Sequence, residues 1–110
     1  MELQGIQPDG YCNVDKYLTL LSTKWTAHIV WLIAQNEEMR FGQLRKQLAL
    51  VSSKVLTERL KALSQEGFVW RRQEDTLPVT VYYGLTKKGR ELSEVVDIIV
   101  RKSDHWSSDT

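Results

Sequence analysis

A chain of 110 residues, 42% hydrophobic and 26% charged, fits one globular domain and excludes a second catalytic domain as well as a disordered or fibrous protein. Its longest apolar run, Ile29 to Ala34, is far short of the ~20 residues that cross a bilayer. Met1 to Gly10 has no secretory pattern and the lone Cys12 excludes an internal disulfide, so a cytoplasmic protein that does not touch membranes is expected. The net charge of +1 hides an asymmetry: from Arg40 to Arg72 eight basic residues stand against Glu58 and Glu66, which is +6, and the remainder of the chain carries −5.

In chain order, residues 1–10 read as a flexible arm, 11–106 as the folded body and 107–110 as a tail. Asn13 or Asp15 is placed to cap a short first helix with Val14, Tyr17, Leu18 and Leu21 on one face. Thr23 is then placed to cap a second helix to about Gln35, apolar around nearly its whole circumference and therefore central. A polar turn, Asn36 to Arg40, leads to a short third helix marked by Phe41, Leu44 and Leu48. The fourth helix has Ser52 or Ser53 as cap, Leu56, Leu60 and Leu63 as apolar seam, and Gly67 as its stop. At 100° per residue, Lys54, Thr57, Glu58 and Lys61 fall opposite that seam, with Arg59 at its margin. Phe68 to Gln73 and Val79 to Leu85 read as a hairpin whose connecting loop projects from the body. Thr86 caps a last long helix, and its stripe of Leu92, Val95, Val96, Ile99 and Val100 exceeds what so small a core can cover, which points to a partner helix.

This order, helices with a short turn between the third and fourth and then a two-stranded wing, predicts a mainly α (α+β) winged helix-turn-helix with extra helices at both ends. The basic segment coincides with the parts that such a fold turns toward double-stranded DNA. Ser52, Ser53, Lys54, Thr57 and Lys61 are expected in the major groove, with Arg59 as a marginal candidate. Arg45 and Lys46 suit phosphates, and Arg71 and Arg72 belong to the wing, where strand alternation sends them to opposite sides.

The residues also resemble the HxlR-type branch of MarR-like bacterial regulators. The likeness rests on Cys12 with Val14, on Leu18, Leu21, Lys24 and Trp25, on Arg40-Phe41-Gly42-Gln43-Leu44-Arg45, on Ser53 through Leu63 ending at Gly67, and on Tyr83-Gly84-Leu85-Thr86 with Gly89 and Trp106. It implies a homodimer held by the terminal helices, with Leu18, Leu92, Val96, Ile99 and Trp106 as interface candidates, acting on an inverted-repeat operator. In redox-responsive members a thiol at the position of Cys12 reacts with oxidants, quinones or aldehydes. The chain departs from the family pattern at Asn13, Val79 and Tyr82, and at Leu50, where glycine is frequent.

Two readings of Cys12 stay open: a reactive thiol at a helix start with Lys16 one turn on, or a packing residue at a dimer seam. His28, on an otherwise apolar helix, reads as an interior histidine, and the four tryptophans as core and dimer anchors. No nucleophile–base set, phosphate loop or metal-ligand spacing is present, so no cofactor, no metal and no enzymatic activity are expected. The rivals are a winged-helix protein-interaction module and a regulator that binds a small aromatic effector without thiol sensing.

Overall fold

A computed structural model describes residues 8–108, and side chains from 13 onward. Helix α1 spans Pro8–Ser22, α2 Thr26–Asn36, β1 Glu38–Arg40, α3 Phe41–Gln47, α4 Ser53–Gln65, β2 Val69–Glu74, β3 Thr80–Leu85 and α5 Lys87–Ser108. The first helix thus starts ahead of the expected Asn13 or Asp15 cap, at a proline, a residue suited to the first helical turn because the N–H it lacks would be unpaired there anyway. Of the expected arm, residues 1–7 lie outside the described part, while Pro8 to Gly10 are helical.

The second helix begins three residues later than its expected Thr23 cap. The Thr23 hydroxyl instead donates to the Thr19 carbonyl at 2.8 Å, closing the end of α1. The chain then turns at Trp25, which takes a left-handed φ of 78°, before Thr26 donates its N–H back to the Thr23 carbonyl at 3.2 Å. A non-glycine residue there is strained, and the turn is held from outside by Arg59, whose Nε–H reaches the Lys24 carbonyl at 2.9 Å. His28 is exposed, not interior, with its ring 5.2 Å from that of Trp25.

The Asn36 to Arg40 segment, expected as a turn, contains a third strand. In β1 Met39 alone points inward and is buried, and the sheet order is β1-β3-β2 with both pairings antiparallel. Three residues carry too little pattern to announce a strand; pairing with residues 82–84, more than forty positions away, makes it one.

Ile29, Val30 and Ile33 of α2 form the centre of the core, against Leu44 and Leu48 at α3, Leu56, Leu60 and Leu63 of α4, and Phe68, Val69, Tyr83 and Leu85 of the hairpin. The inner face of the sheet therefore carries Met39, Tyr83, Val69 and Leu85, and the outer face Glu38, Trp70, Arg72 and Tyr82. Gly84 exists to accommodate Trp70, whose ring covers the space a Cβ would occupy. Helix α5 opens with the expected cap, Gly89 N–H donating to Thr86 Oγ1 at 3.0 Å, and crosses so close to the hairpin that a Cβ on Gly89 would lie 1.9 Å from the Phe68 carbonyl oxygen.

Candidate nucleic-acid interface

Helix α4 is built to present one face. Ser52 caps it, its hydroxyl accepting from the Val55 N–H at 3.1 Å, and Gly67 with φ 80° ends the turn that follows. The leucine seam is buried, which leaves Ser53, Lys54, Thr57 and Lys61 exposed on the opposite side, as the helical spacing requires. No intramolecular hydrogen bond or ion pair occupies Lys54 or Lys61 among the interactions described. Ser52 is exposed too, although its hydroxyl is already committed to the cap.

Between α4, α3 and the wing lies an open groove of about 1200 Å³, lined by Arg40, Lys46, Thr57, Arg71 and Thr80 together with Gln43, Gln47 and Tyr83. Three cations around a concave polar surface suit a sugar–phosphate strand. The sequence names none of Arg40, Gln43 and Thr80 as a DNA contact, although Arg40 and Gln43 belong to the family motif. Arg40 ends β1 and directly precedes α3, and this junction sets it at the rim of the groove, a placement that rests on a strand pairing that local pattern does not signal.

The remaining arginines do other work. The Arg45 guanidinium donates to the Val51 carbonyl and so fastens the turn between α3 and α4. Arg59, 24% exposed at its side chain, holds the α1–α2 turn through Lys24 and has Glu58 at 3.9 Å. Arg71 and Arg72 do face opposite ways. Arg71 lines the groove with Gln73 Oε1 at 3.3 Å, whereas Arg72 lies on the outer sheet face in a fork with Glu38 at 2.9 and 3.3 Å and with Glu74 at 3.3 Å from its Nε. Its guanidinium also stacks 4.5 Å from the Tyr82 ring centre. The Glu38 hydrogen bond raises the Arg72 pKa above its ordinary value, so the guanidinium keeps its charge. In this structure Arg45, Arg59 and Arg72 are therefore engaged within the chain, unlike Lys54 and Lys61.

On the terminal helices Leu18, Ile99 and Trp106 are exposed, together with Val14, Val95 and Ile98, so α1 and α5 each leave apolar side chains uncovered. Val96 does not belong to it, because it is 4% exposed and packs in the chain's own core, and Leu92 is half-buried against that core. Helix α1 is fixed to the end of α4 by Lys16, whose amine lies 2.9 Å from Glu66, and by the edge of Tyr17 against Phe68. The Glu66 hydrogen bond raises the Lys16 pKa. Cys12 sits in the second turn of α1, beyond the first-turn amides expected to favour a thiolate, and its side chain lies outside the described residues. Among the described residues no cluster of His, Cys, Asp or Glu could hold a metal, and no helix is long and apolar enough to cross a membrane.

Helix-turn-helix, recognition face and wing define a winged helix-turn-helix DNA-binding regulator. The HxlR-like helix-turn-helix family matches residues 20–110, and the chain belongs to it. It is 36% identical over 92 residues to the HTH-type transcriptional regulator YvaP of Bacillus subtilis strain 168, a match covering 84% of each chain. The reduced form of the transcriptional regulator YodB from B. subtilis superposes with a TM-score of 0.73 at 27% identity, over 94% of this chain and 97% of YodB. The redox regulator HypR in its reduced form superposes with a TM-score of 0.77 at 25% identity, over 84% and 91%. The family and these relatives are transcription regulators rather than enzymes, as expected from the absence of a catalytic motif.

Proposed function

We propose that this regulator acts as a homodimer that represses transcription by covering an inverted-repeat operator. The observation that carries the reading is the unoccupied cationic face: Lys54 and Lys61 on α4, with Arg40, Lys46 and Arg71 around the adjoining groove. Helix α4 enters the major groove, with Ser53 and Thr57 nearest the base edges and the ammonium groups of Lys54 and Lys61 reaching the flanking phosphates. A second copy covers the exposed apolar surface of α1 and α5, where Leu18, Ile99 and Trp106 meet their counterparts. The radius of gyration, 15.9 Å against the ~13 Å of a compact chain near this length, reflects terminal helices that extend beyond the core of a single chain. Two recognition helices then address half-sites about one helical turn, ~34 Å, apart. In this reading the protein regulates from the cytoplasm, by occupying promoter DNA.

Binding of the purified protein to the DNA upstream of its own gene, footprinted and titrated at two salt concentrations, tests this reading. A protected inverted repeat with steep salt dependence supports it; binding indifferent to sequence and salt sinks it in favour of a protein-interaction module. Response to an oxidant, quinone or aldehyde through Cys12 is part of the proposal on the strength of the family resemblance and the likeness to HypR. Loss of DNA binding on oxidation in wild type, absent from Cys12→Ser, is the expected result. Release from Cys12→Ser as well would move the response to another group, a bound aromatic effector included.

A further inference from the structure

The wing of this protein is not built as a cationic clamp. Between Arg72 and Lys87 the sequence has no lysine or arginine, and Arg72 itself is turned to the outer sheet face, where Glu38 and Glu74 hold it. The two acids near the tip are drawn back along the strand: Glu74 toward Arg72, and Asp75 to Gln73, whose Nε2 donates to it at 3.5 Å. What the wing presents beyond them is uncharged. Leu77 is 100% exposed, with Pro78 next to it and Val79 more than half exposed.

That loop is stitched before any partner arrives. The Thr76 hydroxyl donates to the Pro78 carbonyl at 2.7 Å and lies 3.1 Å from the Thr80 hydroxyl, which itself reaches the Pro78 carbonyl at 3.4 Å. A bare leucine held outward on an ordered loop gives up no loop entropy when it is buried. With α4 in the major groove, the wing across the adjoining phosphate strand lies over the neighbouring minor groove. Leucine and proline are among the side chains that enter that groove and part a base step, and pyrimidine–purine steps part most readily.

Resting on the DNA-binding reading above, we propose that Leu77 is an apolar wedge that enters the minor groove beside the recognition site and partly unstacks one base step. The wing then contributes to operator choice through DNA deformability rather than through charge.

The test uses operator duplexes carrying 2-aminopurine at successive positions flanking the footprinted half-sites, titrated with wild type, Leu77→Ala, Leu77→Met and Leu77→Lys. Since Leu77 touches nothing, none of these changes threatens the fold. The expected result is a rise in 2-aminopurine fluorescence at one step per half-site with wild type and Leu77→Met. It is lost with Leu77→Ala, whose affinity falls about tenfold at every salt concentration, leaving the salt slope unchanged. Leu77→Lys also loses the fluorescence signal, whatever its affinity gains from added charge. Bound operator with no fluorescence rise at any position, and Leu77→Ala binding as tightly as wild type, overturns the wedge and leaves the DNA-binding reading intact. Absence of binding by wild type overturns both.

Discussion

Removing Lys54 and Lys61 together should weaken DNA binding without touching the fold. Both side chains are exposed on the face of α4 opposite the leucine seam and neither supports an intramolecular contact among the interactions described, so the thermal midpoint of Lys54→Ala/Lys61→Ala should stay within about 2 °C of wild type. Each phosphate neutralised contributes about 0.9 to the slope of log K against log salt, so the pair contributes about 1.8 per protomer. Between about 50 and about 200 mM salt, a fourfold change, that slope is worth about 12-fold in affinity per protomer, and this share of the salt dependence should vanish. Arg72→Ala is the control: its guanidinium is engaged by Glu38, Glu74 and Tyr82, so its removal should leave the slope where it was. Fluorescence anisotropy with a labelled operator, read at five or so salt concentrations, gives both slopes. An Arg72→Ala slope reduced as much as that of the lysine pair would refute the division between free and framework cations.

Gly89→Ala should be severely destabilising, by about 3 kcal/mol or more, because its Cβ would fall 1.9 Å from a carbonyl oxygen that also accepts the Thr86 N–H, so neither can yield; denaturant unfolding measures it. Gly42→Ala, with nothing within 4 Å, should be neutral or stabilise by up to about 1 kcal/mol in the same assay. Arg59→Ala should lower stability while Arg59→Lys recovers only part, since the lysine cannot reproduce the directed Nε–H bond to Lys24 that holds the strained Trp25 turn. For Lys16, whose pKa is raised by Glu66, the contact stabilises the fold below the ordinary lysine pKa and is lost as pH rises through the raised value. Wild type should therefore exceed Lys16→Met in stability at neutral pH, with the two unfolding curves converging in strong alkali.

The amphipathic elements were legible because each pattern is local. Leu56, Leu60 and Leu63 recur at helical spacing, so the face of α4 left for DNA follows from counting residues, and Ser52 and Thr86 announce the starts of α4 and α5 by chemistry that acts within three positions. The alternation of Val79 to Leu85 gave the hairpin in the same way.

Tertiary structure decided what happens where distant residues meet. A three-residue strand exists only because residues 82–84 pair with it, and it is this strand that brings Arg40 into the groove and Glu38 onto Arg72. Sequence supplies a count of cations but not their partners: Arg45, Arg59 and Arg72 look like Lys54 and Lys61 on paper, yet a carbonyl six residues away, another thirty-five away and a carboxylate thirty-four away engage them within the chain. Likewise Val96 and Ile99 share a helical stripe, and only the packing of α5 against α2 sends the first into the core and leaves the second exposed. Periodicity is written in neighbours along the chain, whereas charge pairing and burial are settled between residues that only the fold makes neighbours.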